Sequence, residues 1–553
     1  MAGRSRRISR VIHEIPRFAR NDGYPMSKPL INGPIVLVIL DGFGIAPEGG
    51  ANPVDLKVLP EYSRLCAESR HTRLWAHGEY VGLPEDQDGN SEAGHLNLGA
   101  GRIVKQDPSI INDSIRDGTF FKNPAFSEAI RHVKQNNSRL HLMGMLSNGQ
   151  SAHSTPEHLY ALLDLLDKEK VASVFLHLFT DGRDSHPFSG KTMVERLLRE
   201  LRPNQRIASI IGRFYAMDRR KSWARTEKAY NAIVLGEGRC VNDPLTAFDE
   251  SYREGVGDEF IEPYSICHED KPIGDIQDND AIIFFNHRSD RARQLAKPFV
   301  QENFNKDNPG SFIPKRIVKN LRFVAMTDFG PDLDDIITAY PSVLLKDTLP
   351  MVLSKKRQLY LAESEKYAHM TYFFNGGYAD PVNGEDRLMV PSPDVERYDQ
   401  APAMATRELA DEVIKDLADK KYDFIVVNLA CPDMVAHTGN LSAAKIALQA
   451  VDQNLGRLME AVGPTGGALI VTADHGNIEE MKDFSSGAVD TEHSKNQVPF
   501  LLWLGTDGAK NLPPLRHGGV LADVGPTILD LFGVSKPVAM TGKSLFEELN
   551  LKS

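Results

Sequence analysis

The sequence predicts a parallel α/β protein of two domains, one of them split in the chain by the other. Three observations lead there. Runs of β-branched and aliphatic residues alternate with longer amphipathic stretches, as strands do when crossover helices separate them. At 553 residues the chain exceeds what one hydrophobic core supports. Segments rich in Asp and His stand near both ends of the chain, on either side of a middle region with its own α/β pattern. The expected division is an N-terminal extension at 1–27, a discontinuous domain at 28–106 and 341–553, and an inserted domain at 107–340.

The first strand is Ile35–Leu40, an apolar run ending at Asp41. The insertion offers strands at Leu140–Gly144, Val174–Leu178, Ile207–Ile211, Ala281–Phe285 and Leu321–Ala325. Phe424–Asn428, Ala468–Thr472 and Pro499–Trp503 return to the first domain. Ligands of open α/β sheets bind beyond the carboxyl ends of the strands, so Asp41, Asp433 and Asp474 can converge although remote in sequence.

Composition excludes several classes. A net charge of −11 argues against nucleic acid as the main partner; a small anion held by local arginines remains open. No uninterrupted apolar run approaches membrane-spanning length. Cys66, Cys240, Cys267 and Cys431 are far apart and lack CxxC spacing. They predict reduced thiols in a cytoplasmic protein, with neither a zinc site nor a disulfide framework. The first 25 residues carry six arginines against Glu14 and Asp22 and precede Met26. Pro16 and the lack of a serine-rich body argue against a targeting leader, and ordered structure is expected from near Lys28.

The chemistry starts at Asp88-Gly-Asn-Ser-Glu-Ala-Gly-His95, where Ser91 sits in a glycine-punctuated turn. Asp433 and His437 are four residues apart, on one face if helical, and Pro432 suits a helix start. Asp474 and His475 follow an apolar strand, with Gly476 permitting a sharp turn, and His493 lies beyond. Each segment alone is at least as well explained by a cap, a solvated histidine or a strand-end turn. Together they repeat one ligand chemistry at several strand ends, which suits two divalent ions such as manganese, zinc or magnesium. A bound ion would activate the Ser91 hydroxyl by lowering its pKa. Ser91 has no Gly-x-Ser-x-Gly elbow, which argues against a hydrolase triad.

A second, cationic cluster occupies the insertion. It comprises Asp181-Gly-Arg-Asp184, Gly212-Arg-Phe-Tyr-Ala-Met-Asp-Arg219 and Asn286-His-Arg-Ser-Asp-Arg291. Arg183, Arg213, Arg288 and Arg291 follow strand signals and offer forks for phosphate or carboxylate oxygens. Arg220, Lys221 and Arg225 read as a solvated helix face. Lys366 adds a cation, and His153 is the histidine suited to acid–base work.

These segments, with Tyr215-Ala-Met-Asp-Arg219, Glu365-Lys-Tyr-Ala-His369, Pro432-Asp-Met-Val-Ala-His-Thr-Gly439 and Thr472-Ala-Asp-His-Gly-Asn477, resemble the cofactor-independent phosphoglycerate mutases of the alkaline phosphatase superfamily. The likeness runs from Val36 to Leu545. It implies an alkaline-phosphatase-like domain with an inserted α/β substrate-binding transferase domain. It also implies interconversion of 3- and 2-phosphoglycerate through a phosphoserine, without 2,3-bisphosphoglycerate. The resemblance gives one Mn2+ to Asp433, His437 and His493 and a second to Asp41, Ser91, Asp474 and His475, with Mg2+, Zn2+ or Co2+ as alternatives. Ser91, His153 and Lys366 would be catalytic. His153, Arg183, Asp184, Arg213 and Arg219 would hold the glycerate part, and Arg288, Arg291 and Lys366 would face the phosphoryl group. The expected protein is a cytoplasmic monomer acting on small phosphoglycerates, without nucleic-acid or membrane partners.

Three departures stand out. Gly149-Gln-Ser-Ala-His-Ser-Thr155 replaces the family's usual Gly-Gly-Val-His-Ser-His with a one-residue shift, Cys431 stands for Asn, and Ala436 for Gly. A phosphatase or phosphopentomutase on the same scaffold would lack the ordered arginine set. A non-catalytic descendant would not be expected to keep Ser91 and all the Asp and His ligands.

Overall fold

The computed structural model describes residues 28–547 other than 48, 50, 51, 150, 331, 334, 483–486, 506, 507 and 509–511. The extension expected at 1–27 lies outside the described residues. The chain divides into two compact units, one built from residues up to Val104 together with Leu344 onward, the other from Lys105–Val343.

The discontinuous unit is built on an eight-stranded sheet. Its spatial order is Asp386–Val390, Gln358–Glu363, Phe424–Leu429, Ile35–Leu40, Ala468–Thr472, Val498–Trp503, Arg70–Trp75 and Gly519–Val520. The first five strands are parallel, and Val498–Trp503 runs against both its neighbours. Every residue of Ile35–Leu40 is buried, as expected of a central strand covered on both faces. Among the covering helices, Leu441–Val462 starts at Asn440, whose side chain accepts from Ser442 N and Ala443 N and so satisfies orphan donors of the first turn. Its buried residues include Ala447, Leu448, Val451, Leu455 and Leu458, one stripe of a 3.6-residue period. Removing such a side chain from water contributes about 1.5–3 kcal/mol.

The second unit has a nine-stranded sheet. Ile337–Tyr340, Arg322–Thr327, Ala281–Phe284, Leu140–Met145, Val174–Thr180 and Gln205–Gly212 are parallel in that order. Tyr264–His268 runs against the last of these and pairs with Arg239–Val241 and Lys271–Pro272. Among the described residues no helix is long and apolar enough to cross a membrane.

Two expectations are corrected here. Cys240 and Cys267 form a disulfide, leaving Cys66 and Cys431 free. The pairing of Arg239–Val241 with Tyr264–His268 sets Cys240 opposite Ser265, and the two cysteine Cα atoms stand 5.7 Å apart, within bridging range. Arg225 is not merely solvated. Its guanidinium lies 3.7 Å from the Phe214 ring centroid and donates to Asp218 Oδ2 at 3.1 Å, whereas Arg220 and Lys221 are exposed.

The second unit buries several neutral histidines. His158 is fully buried, its Nε2 lies 2.9 Å from Asn112 Oδ1, and burial holds its pKa down to about 3. The unfolded chain would take up that proton near pH 6.5. From there down to about 3 the unfolded state binds more protons, so stability falls with pH by about 1.4 kcal/mol per unit for such a histidine. The urea midpoint of His158→Gln should therefore depend less steeply on pH between 6.5 and 5 than that of the parent. Equal slopes would show that His158 does not titrate in this way.

Candidate active site

Adjacent parallel strands of the discontinuous unit deliver four charged groups to one end of the sheet. Asp41 follows Ile35–Leu40, Lys366 follows Gln358–Glu363, and Asp474 follows Ala468–Thr472. Asp433 lies in the short helix Cys431–Ala436 just after Phe424–Leu429. His493 precedes Val498–Trp503, whose antiparallel direction brings its start to the same end. Ser91 is the first residue of the helix Ser91–Ala100, where Asn90 is the cap and accepts from Ala93 N at 2.9 Å. The capping role open to Ser91 is thus filled by its neighbour, and the hydroxyl is released for other contacts.

Those contacts converge. Ser91 Oγ donates to Asp41 Oδ1 at 3.2 Å, lies 3.0 Å from His475 Nε2 and accepts from Lys366 Nζ at 2.9 Å. Lys366 Nζ also meets Asp41 Oδ1 at 2.6 Å and Asp433 Oδ2 at 2.7 Å. His437 Nε2 and His493 Nε2 stand 3.3 and 3.4 Å from Asp433 Oδ1 and 3.2 Å from each other. Their Nδ1 atoms lie 2.8 Å from the carbonyls of Thr491 and Gly89 respectively, which leaves both Nε2 atoms directed at Asp433.

The charges perturb one another. Burial raises the Asp41 pKa, and the Asp474 charge raises it further. Burial alone would raise Asp433, but the Lys366 ammonium and His437 outweigh it and hold that carboxyl well below the usual range. Lys366 is likewise disfavoured by burial, yet Asp41, Asp433 and Asp474 keep it firmly protonated. The charge of Asp433 pushes the partly exposed His437 up to about 9, so an ion bound there competes with a proton.

The donor set fits divalent metal. Asp433, His475 and His493 present ligand atoms within 4.8 Å of one another, as do Asp41, Asp474 and His475. Buried Asp474 Oδ2 has no hydrogen-bond partner. It lies 3.2 Å from His95 Nδ1, which is also 2.9 Å from the Ser91 carbonyl. Carboxylate and imidazole together suit manganese, zinc or cobalt better than calcium.

Three supporting residues escaped sequence reasoning. Asn428 Nδ2 donates to Asp41 Oδ2 at 2.6 Å, Asn477 Nδ2 to Asp433 Oδ1 at 2.8 Å, and Glu479 accepts from Gly44 N at 2.8 Å. Asn477 and Glu479 share a turn with Asp474 and His475, the one signal that could have found them. Cys431 turns away from the carboxylates. Its Sγ accepts from Thr406 Oγ1 at 3.2 Å and lies 3.7 Å from the Ala447 carbonyl, and burial pushes the thiol up to about 12.

Within the second unit the cationic residues also assemble. Arg213, 3% exposed, bonds to Asp181 and donates to Asp184 Oδ2 at 2.8 Å, which also accepts from Ser151 Oγ at 2.6 Å. Arg219 Nη1 and Arg288 Nε donate to Asp290 at 2.7 and 3.1 Å. His153 Nδ1 stands 3.9 Å from Asp290 Oδ1 and has no hydrogen-bond partner. Burial, with Arg213 beside it, holds His153 down to about 3, so the imidazole is neutral at pH 7. Burial and then Arg219, Arg213 and Arg183 lower Arg291 to about 10, the electrostatic mark of a patch with surplus positive charge. Arg183 is the outlier, half-exposed and 3.9 Å from Glu259. Asp290, which ties two arginines to the neighbourhood of His153, was hidden in sequence among the charges of Asn286–Arg291.

Comparison with known proteins gives a consistent result. Residues 111–331 match the family model described as BPG-independent PGAM N-terminus, and 346–495 match type I phosphodiesterase / nucleotide pyrophosphatase. The chain is 46% identical to the 2,3-bisphosphoglycerate-independent phosphoglycerate mutase of Moorella thermoacetica, over 93% of this chain and 98% of that protein. It is 45% identical to that of Clostridium acetobutylicum, over 93% and 99%. A crystal structure of Leishmania mexicana phosphoglycerate mutase at low cobalt concentration superposes with a TM-score of 0.77 at 30% identity, covering 95% of this chain and all of that one.

Proposed function

Because the chain belongs to the 2,3-bisphosphoglycerate-independent phosphoglycerate mutases, glycolytic isomerases that interconvert 3- and 2-phosphoglycerate, we propose that Ser91 carries the phosphoryl group between the two hydroxyls of glycerate. One observation carries this reading: Asp41, His475 and Lys366, from three separate segments, all reach a single buried hydroxyl. Asp433, His437 and His493 would hold one Mn2+, and Asp41, Ser91, Asp474 and His475 another, with Mg2+, Zn2+ or Co2+ as alternatives. Such ions supply Lewis-acid stabilisation of phosphoryl charge and acidify a nearby hydroxyl.

In the first transfer the bond from Ser91 Oγ to phosphorus forms as the bond from phosphorus to the 3-oxygen breaks. Ser91 gives up its proton, and the departing oxygen takes one. The second transfer repeats this in reverse at the 2-oxygen, restoring the serine. Lys366 would keep a positive charge beside Oγ throughout, placed for the phosphoryl oxygens as they arrive. At 6% exposure Ser91 leaves little room for competing water.

Arg183, Arg213, Arg219 and Asp184 would bind the carboxylate and hydroxyl of glycerate, and Arg288 and Arg291 the phosphoryl oxygens, as paired guanidinium donors do. His153, neutral at rest, would accept and return the hydroxyl proton. The reading includes a cytoplasmic monomer, although the Cys240–Cys267 disulfide is a bond that reducing cytoplasm disfavours.

The test is direct. Enzyme mixed with phosphoglycerate carrying labelled phosphorus, quenched in acid and digested, should yield label on the peptide containing Ser91. Turnover with label absent, or fixed on another residue, would refute the covalent route.

A further inference from the structure

Glu479 belongs to none of the ligand sets above, yet its carboxylate hydrogen-bonds into three of the metal-bearing turns. We propose that it is a positioning residue, joining the turns that carry the ligands of both ions. The proposal rests on the two-ion reading of the preceding section.

The side chain is fully buried. Its Oε2 accepts from Gly44 N at 2.8 Å and from Asn477 N at 2.9 Å; its Oε1 accepts from Ser494 Oγ and from Asn496 Nδ2 at 3.0 Å. Gly44 lies in the turn after Asp41, Asn477 in the turn of Asp474 and His475, and Ser494 and Asn496 directly after His493. Asn477, so anchored, donates its own amide to Asp433 Oδ1 at 2.8 Å. One carboxylate therefore reaches, directly or through Asn477, the segments of Asp41, Asp433, Asp474, His475 and His493.

A simpler account would make Glu479 a buried acid satisfied by its own turn. The contacts argue otherwise, since Gly44 is 435 residues away in the chain. The surrounding chain also makes room for it. A Cβ on Gly44 would fall 2.2 Å from Glu479 Oε1, and one on Gly476 would fall 2.4 Å from the same atom and 2.3 Å from Ser494 Oγ. Both positions have to be glycine for the carboxylate to sit there. Each carboxylate oxygen takes two donors, a pattern suited to a group that only accepts. An amide in its place would turn NH2 toward two donors and break one half of the junction. Partners of this kind, one step removed from a metal, typically change its affinity 10–100-fold when replaced.

The experiment titrates Co2+ into the metal-free full-length enzyme and follows visible absorption and bound stoichiometry. Wild type should bind two Co2+. Glu479→Gln should bind both 10–100-fold more weakly, with kcat recovering at saturating metal and the KM for phosphoglycerate unchanged. Ser494→Ala leaves the carboxylate in place and loosens only the His493 segment, so it should weaken one of the two ions. If Glu479→Gln does not fold, Ser494→Ala decides alone. Two tight Co2+ ions in wild type, with wild-type affinity in every variant that folds, would overturn the positioning role. A wild type that does not take two Co2+ would instead overturn the two-ion reading, and the proposal with it.

Discussion

Ser91→Ala should lose phosphoglycerate interconversion by roughly 10^4- to 10^6-fold, the scale on which removal of a covalent nucleophile acts. The fold should survive, because Asn90 rather than Ser91 caps the helix. Lys366 retains Asp41 and Asp433 at 2.6 and 2.7 Å after the hydroxyl is gone. Metal held through Asp433, His437 and His493 should bind as before. The informative measurement pairs turnover with bound metal. Lost turnover with that ion retained is the expected result, and turnover near the wild-type rate would end the phosphoserine mechanism for this chain.

Lys366→Met should act on stability as well as on rate. Methionine keeps most of the aliphatic body while removing the charge. In metal-free protein the change leaves buried Asp41, Asp433 and Asp474 without their cation, and unpairing a buried charge costs about 3–5 kcal/mol. Divalent ions would replace the lost charge, and ligands that bind only the folded state stabilise it. Urea denaturation should therefore show a large deficit in chelator that shrinks with saturating manganese. The same deficit in both conditions would mean that Lys366 and the ions do not share these carboxylates. Turnover should fall in either case, since Nζ stands 2.9 Å from Ser91 Oγ.

Central strands were legible because burial on both faces demands an unbroken apolar run. Ile35–Leu40 and Ala468–Thr472 announce themselves in this way. Gln358–Glu363 is equally buried but begins and ends with polar residues. Gln358 Nε2 donates to the Pro350 carbonyl at 3.0 Å, and Glu363 Oε1 accepts from Ala405 N at 3.0 Å. Those partners exist only after folding. Arg70–Trp75 is polar at most positions, and its pattern does not separate it from a loop. The site followed the same division. Ligands were readable because their chemistry repeats at several strand ends; Asn428, Asn477, Glu479 and Asp290 were not, because an amide or acid in a turn has an ordinary explanation until its distant partner is known. Cys240 and Cys267 make the same point, since a strand register and not their spacing brings them together.

The split sheet has a consequence for how the protein is made. Asp41 and the Asn428 that holds it are 387 residues apart, and the strand before Asp41 lies between Phe424–Leu429 and Ala468–Thr472. At roughly 5–20 residues per second, about 20–80 s pass on the ribosome between synthesis of that strand and of its first neighbour. Throughout that interval a wholly apolar segment must wait unpaired, while all of Lys105–Val343 emerges and can fold as a unit of its own. The nascent chain is thus most exposed to misassociation before its metal centre can form, and the apolar residues of Ile35–Leu40 are the natural place for a holding chaperone to act.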